Sequence, residues 1–219
     1  MDVVRALNAE VKVILASSSK PRAKLMEQVG IEFEAISSGF PENIDSTTLR
    51  PAEYAINTAN HKAEAVLSYL ASMVRELTLI IACDTIIVND GLTIIEKAID
   101  VNHAKRIILS LSGKTHAVIT GVALILYDNV VCVRERFFDR TEVTFEDLST
   151  QEVAEYLDSE EWIDRAGAYA IQGRGSLFVR NINGDYNNVI GLPLRRIVTA
   201  IRGMLDRYHD SVGDQIFVA

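Results

Sequence analysis

The run Val11-Lys-Val-Ile-Leu-Ala16 empties into Ser17-Ser-Ser19 and then into Pro21 and Arg22, and no other stretch constrains the fold as much. Val11 to Ala16 is β-branched and apolar enough to be a buried strand. Pro21 suits the first turn of a helix, where its missing N–H costs nothing. Free backbone N–H groups, serine hydroxyls and the positive end of the helix dipole then converge at one turn, and Arg22 adds a planar cation matched to phosphate oxygens. The same turn also reads as an ordinary serine N-cap. The segment by itself leaves both readings open.

The rest of the chain alternates strands with helices and then gathers strands. Gly30 suits a helix C-cap, and Ile31 to Ile36 alternates apolar with acidic as a half-exposed strand does. Ser37 to Arg50 is a polar loop. A long helix starts near Pro51 with an apolar stripe at Ala55, Ala59, Ala63, Val66, Leu70 and Met73. Thr78 to Cys83 is a second buried strand, which Asp84-Thr85 is expected to break at its C-terminal end. Asn89-Asp-Gly91 is a hairpin turn whose second arm delivers Glu96 and Lys97. Asp100 caps a helix that ends at Gly113. Two long strands, His116 to Leu126 and Val130 to Phe145, precede a capping box at Ser149 to Glu152. A glycine-dense stretch from Ala166 to Gly173, a strand around Leu177 to Ile182, a turn at Asn183-Gly-Asp185 and a helix from Pro193 to Tyr208 complete the pattern. This order predicts an α/β fold: a mixed twisted sheet with flanking helices, in two lobes around a central cleft. Residues 1–10 read as an N-terminal extension, 11–208 as one domain of two lobes, and 209–219 as a tail.

With 219 residues the chain can bury a large core without staples. Its two cysteines, Cys83 and Cys132, have neither CxxC nor Cys/His spacing, which disfavours a structural zinc and fits a reducing compartment. A net charge of -8 argues against gripping a nucleic-acid polymer while leaving room for a local anion pocket. No stretch has the length of a signal peptide core or a membrane span, so the expected location is the cytoplasm. Walker A, GxSxG and HExxH motifs are absent, which disfavours P-loop kinases, serine hydrolases and zinc peptidases.

Several residues bear on chemistry. Asp84, at the expected end of a buried strand, is either a turn-former or a ligand for a hard cation. Glu42 and Asp45 lie in a polar loop, where most carboxylates are solvated. Lys62 and Lys97 either snorkel or aim ammonium groups into the same cleft as Arg22, three cations for one polyphosphate. Gln172 either bonds its own loop or positions a water or base edge. His61, His103, His116 and His209 lack metal-ligand spacing and read as structural or surface residues.

Taken in order, several blocks resemble the Maf family of nucleotide pyrophosphatases, also called septum-formation or Maf-like proteins. They are Leu15-Ala-Ser-Ser-Ser19 with Arg22, His61-Lys62-Ala63, Asp84-Thr85, Glu96-Lys97, and Ser112-Gly113 with His116. Ala166-Gly-Ala-Tyr-Ala-Ile-Gln-Gly173 and Gly184 to Leu194 follow. The resemblance spans nearly the whole chain. It implies a Maf-like domain that cleaves nucleoside triphosphates between the α and β phosphates with a divalent cation, Mg²⁺ or Mn²⁺, and that forms a homodimer. It further implies catalytic Asp84, Glu42, Lys62 and Lys97, substrate binding by Ser17, Ser19, Arg22 and Gln172, and metal binding by Asp84 and Glu42. The Asp84-Thr85 pair and the glutamine block resemble the branch that takes dTTP and UTP.

Three departures stand out: Lys20-Pro21 where the family has Pro-Arg, Ala98 where it has proline, and Arg165 where it has lysine. The first exchanges a fork-shaped cation for an ammonium one position earlier, which is no equivalent at a phosphate. Two rivals follow: an ITP or XTP pyrophosphatase of similar two-lobed shape, and a non-catalytic nucleotide sensor acting on cell division.

Overall fold

One strand, β3, organises the molecule. It runs unbroken from Thr78 to Asn89, and its apolar positions are buried on both faces, as expected of a β-branched run that central strands favour. The computed structural model describes residues 3–40, 44, 48–70 and 76–216. Within them the chain order is α1 (Val3–Glu10), β1 (Lys12–Leu15), α2 (Lys20–Gln28), β2 (Glu34–Ala35), α3 (Pro51–Leu70), β3, β4 (Thr93–Ile95) and α4 (Val101–Leu111). There follow β5 (Thr115–Tyr127), β6 (Cys132–Phe145), α5 (Thr150–Leu157), two 3₁₀ turns (Ala166–Ala168 and Arg174–Phe178), β7 (Val179–Asn183), α6 (Tyr186–Ile190) and α7 (Leu194–Ile216). The sheet is mixed, in the order β2-β1-β3-β5-β6-β7, with β4 also on β3. The first two pairings are parallel, the rest antiparallel.

The sequence reading ended β3 at Cys83; the strand instead continues through Asp84 and Thr85. Both residues stay in the ladder, Asp84 opposite Gly121 and Thr85 opposite Thr120 on β5. What stops is the neighbour. On its other edge β3 pairs with β1 over Thr78–Ile81 and with β4 over Ile87–Asn89. Among the described residues, Ala82 to Ile86 has no strand beside it on that edge. The gap is the floor of a cleft.

Side chains alternate across the sheet, so each face of β3 changes character at the gap. On one face Ile80 and Ala82 pack with Ala123 and Ile125 under Ala59, Ala63, Val66 and Leu70 of α3, whereas Ile86 and Val88 join Ala117, Ile119 and Ala55. On the other, Leu79, Ile81 and Cys83 belong to a core shared with α1, α2 and α7, whereas Ile87 and Val118 belong to one built on α4, α5 and Phe145. The two lobes are therefore the two ends of one pair of strands, β3 and β5, and Asp84-Thr85 marks their boundary.

Local chemistry fixes the flanking elements. Asp100 accepts a hydrogen bond from His103 N at 2.7 Å to start α4, and Ser149 with Glu152 forms the capping box of α5. At the hairpin, Asp90 and Gly91 both take positive φ, 50° and 76°, as a turn between twisted antiparallel strands requires. Two ends differ from the sequence reading. Residues 1–10 contribute α1, whose Val3 and Leu7 are buried in the first core. The last helix continues to Ile216 instead of stopping at Tyr208; polar residues carry no apolar period, yet extending a formed helix costs little. Met73 of the expected α3 stripe lies outside the described residues.

Gly121 is where α3 comes closest to the sheet. A Cβ there would stand 2.2 Å from the carbonyl carbon of Ala55. Only glycine admits this contact, and it sets the height of α3, hence of Lys62 two turns later. Gly121→Ala should therefore destabilise the protein by about 3 kcal/mol, read as a lower urea midpoint at unchanged slope.

His116 sets a second expectation. It is buried among Phe145 and Tyr169, its Nε2 is 3.0 Å from the Tyr169 hydroxyl, and its Nδ1 has no partner among the described residues. Burial pushes the imidazole from 6.5 down to about 4. The unfolded chain then binds a proton that the folded chain refuses, so stability is full above about pH 6.5 and falls as pH drops towards 4. The loss amounts to about 3 kcal/mol. Urea unfolding at pH 7.5, 5.5 and 4.5 should follow that slope, and His116→Phe should flatten it.

Candidate active site

The cleft has a volume of about 980 Å³ and is lined from both lobes, a size suited to a small-molecule ligand. Its charged half is built by three elements that meet at the gap in β3. Asp84 projects from β3 toward α3, where Lys62 lies on the buried side of the helix beside Ala63 and Val66. Lys62 Nζ donates to Asp84 Oδ1 at 2.8 Å, and the two side chains are 9% and 10% exposed. A carboxylate at this depth is tolerable only when compensated. The sequence reading aimed Lys62 at a polyphosphate; in the structure its first partner is the aspartate.

Thr85 faces the opposite side of the sheet, toward α2. There Arg22 is clamped by three bonds: Nε donates to Gly191 O at 2.8 Å, Nη1 to Ser17 Oγ at 3.2 Å and Nη2 to Thr85 Oγ1 at 2.9 Å. A guanidinium carries five N–H donors, so two stay available. Ser17 Oγ also accepts from Ser19 N at 3.2 Å. Ser19 is the N-cap of α2, yet its own side chain makes no capping bond. Ser17, Ser19, Lys20 and Arg22 all line the cleft, so the strand–serine–helix junction opens into it.

The second lobe supplies the remaining wall. Glu96 and Lys97 leave β4 at the rim, exposed and facing the cleft. Gly167 and Ala168 take consecutive positive φ values, 64° and 56°, and a Cβ on Gly167 would lie 2.4 Å from Ile87 Cδ1. This close seat on β3 turns the chain so that Tyr169, Ile171 and Gln172 reach the cleft. Glu161 secures the far end by accepting from Arg174 N at 2.8 Å. Gln172 is exposed on the wall, while Ile171 beside it, in the turn closed by Gly173 N donating to Ala170 O, is turned inward. Ile87, Ile95, Val118, Tyr169 and Val189 make this half mostly apolar.

Burial holds two neighbours neutral. The Cys83 thiol is pushed up to about 11 by desolvation, against the pull of Arg22 and Lys62, and the Tyr169 phenol is driven far above its ordinary value by the same cause. Neither supplies a nucleophile at neutral pH. Glu42 lies outside the described residues. Phe40, two residues earlier, lines the cleft and stacks on His61 at 5.0 Å between centroids. Among the described residues no group of three or more His, Cys, Asp or Glu is placed to hold a metal ion, and no helix is long and apolar enough to cross a membrane.

The structure thus gathers Ser17, Ser19, Arg22, Lys62, Asp84, Lys97 and Gln172 around one cavity. Thr85 and Gly191, which fix Arg22, carry no site role in the sequence reading. Gly191 ends α6 with a φ of 114°, a left-handed conformation that favours glycine. That helix, five residues long, is too short to show a helical period, and the sequence reading gives only the Asn183-Gly-Asp185 turn ahead of it.

A family model described as Maf-like protein matches residues 12–204. The chain belongs to the Maf-like family. It is 40% identical over 191 residues, 87% of this chain and 94% of the relative's, to a dTTP/UTP pyrophosphatase of Bacillus cereus strain AH187. The same identity and coverage hold for proteins of that name from Bacillus thuringiensis subsp. konkukian and Bacillus anthracis. A nucleoside-triphosphatase / dITP/XTP pyrophosphatase structure from Mycobacterium abscessus aligns with 61% of this chain and 72% of its own at 15% identity. Its TM-score is 0.37, too low to speak to fold or activity. Every cleft residue named above falls inside the Maf-like match.

The buried pair in this Maf-like cleft yields a stability test. Lys62→Met leaves Asp84 uncompensated and should cost about 3–5 kcal/mol. Adding Asp84→Asn to that variant should restore most of the loss in chemical denaturation.

Proposed function

We propose that this chain hydrolyses dTTP and UTP to the monophosphate and pyrophosphate. The observation that carries the reading is the carboxylate–ammonium pair Lys62–Asp84, set in a strand gap that also exposes Arg22, Lys97 and the serine turn. The 40% identity to proteins named dTTP/UTP pyrophosphatase supports the choice of substrate.

The triphosphate lies with its anionic oxygens against the Ser17–Ser19 turn, Arg22, Lys62 and Lys97. These groups offset charge that would otherwise repel a nucleophile. Asp84 accepts a proton from a water as its oxygen attacks the α phosphorus. The bond from that phosphorus to the bridging oxygen breaks, and the electron pair leaves with pyrophosphate. Lys62 then serves twice: it holds Asp84 in place in the free protein and turns its charge to phosphate oxygens when substrate arrives. The apolar wall with Tyr169 seats the base, and Gln172 offers it both donor and acceptor.

The donors fit a divalent cation that arrives with the nucleotide. Mg²⁺ keeps several waters and takes one or two carboxylates together with substrate phosphates, so a dedicated acidic cage is not needed. Asp84 has one oxygen committed to Lys62 and one to offer, and Glu42 is the proposed second ligand. A bound Mg²⁺ or Mn²⁺ supplies charge neutralisation and polarises phosphoryl oxygens. A cytoplasmic location belongs to the same reading, supported by the free thiols Cys83 and Cys132. The homodimer rests on the family resemblance alone.

The test is pyrophosphate release from a panel of nucleoside triphosphates with and without Mg²⁺ or Mn²⁺. Release from dTTP and UTP should require metal, exceed that from ITP, and fall at least about a hundredfold in Asp84→Asn. Nucleotide binding with no turnover across the panel would instead mark a sensor.

A further inference from the structure

Arg22 does not stand alone. Thr85 Oγ1, which accepts from Arg22, is 3.0 Å from Thr120 Oγ1, and Thr120 Oγ1 donates to the carbonyl of Asn188 at 3.1 Å. These contacts fix the direction of every proton in the series. Since Thr120 spends its hydrogen on Asn188, it must accept from Thr85, and Thr85 in turn accepts from Arg22. Thr85 and Thr120 are cross-strand partners on β3 and β5, so the relay crosses the sheet at the boundary between the lobes.

Asn188 anchors the far end. It is fully buried, and its amide nitrogen donates to Val118 O at 3.1 Å and to Thr141 Oγ1 at 3.0 Å. Thr141 Oγ1 passes the chain on to Asp185 O at 3.0 Å. The turn of α6 is thereby stapled to β5 and β6, and it holds Arg22 at two points: directly through Gly191 O and indirectly through Asn188 O. Gly191 N donates to Asn188 O at 2.9 Å, tying the two points together. Asn188 Oδ1 is buried without a partner among the described residues, a cost the staple must offset.

We propose that Thr120 and Asn188 are positioning residues for Arg22: they lock the guanidinium so that its two remaining N–H donors meet the polyphosphate. Neither residue lines the cleft. The proposal rests on the functional reading above in taking Arg22 as a phosphate contact. Its logic is that a fork pre-oriented by three fixed bonds loses less freedom on binding than a mobile one.

The test titrates inorganic tripolyphosphate into the protein by calorimetry, with dTTP kinetics and thermal melts beside it. Thr120→Val, which keeps the side-chain shape and removes the hydroxyl, should weaken tripolyphosphate about tenfold and raise the KM for dTTP with kcat little changed. Thr120→Ser should restore affinity to within about twofold. In an Arg22→Lys background, which has no fork to orient, Thr120→Val should change nothing further. Asn188→Ala, which keeps the relay hydroxyls but cuts the staple, should act in the same direction and provides the second test should the valine variant fold poorly. An unchanged affinity in these variants, or an equal loss in the Arg22→Lys background, would overturn the proposal. A wild type that binds tripolyphosphate yet leaves dTTP intact would sink the enzymatic reading and leave this one to be judged on affinity.

Discussion

Everything at this site depends on an interruption in backbone pairing. A central strand with neighbours along its whole length is sealed; β3 has two neighbours on one edge that do not meet. Five residues between them keep their ladder with β5 and lose it on the other side. A charged side chain there is partly sheltered by α3 and still reachable from solvent. The sheet thus makes a polar opening without sacrificing the cores that flank it, because on each face the hydrophobic clusters divide at Asp84-Thr85.

The choice of residues around the opening follows. An aspartate in a strand interior carries a desolvation cost, which the ammonium of Lys62 compensates at 2.8 Å. Lys62 is delivered by a helix whose approach is set by Gly121, the cross-strand partner of Asp84 itself. The missing side chain on one strand therefore lets the helix down far enough to satisfy the charge on the next.

Much of this was legible in the sequence. Ser17, Arg22, Lys62, Asp84, Lys97 and Gln172 are recognisable from motif blocks, and the caps at Asp100 and Ser149 follow from local chemistry. What the sequence did not show is who meets whom. Lys62 and Asp84 are twenty-two residues apart and join only through the register of α3 on the sheet. Arg22 and Gly191 are separated by 169 residues. Thr120 reads as one more β-branched residue in an apolar strand, and its hydroxyl acquires meaning only beside Thr85. The expected break after Cys83 failed for a related reason: a polar pair in an apolar run signals a change of environment, and the change lay in the neighbouring strand.

The sharing of β3 and β5 by both lobes also bears on motion. Eleven consecutive cross-strand pairs, from Thr78–Tyr127 to Val88–Ala117, run past the cleft without a break. Opening the lobes like a hinge would tear that ladder, and such closures usually rely on a few loop residues to absorb the rotation. Among the described residues, the wall built outside that ladder is the turn carrying Gln172, itself seated on β3 through Gly167 and tied by Glu161. The cleft thus acts as a calliper of nearly fixed width, and under the proposed function a base would be sorted by its size against walls that share one ladder.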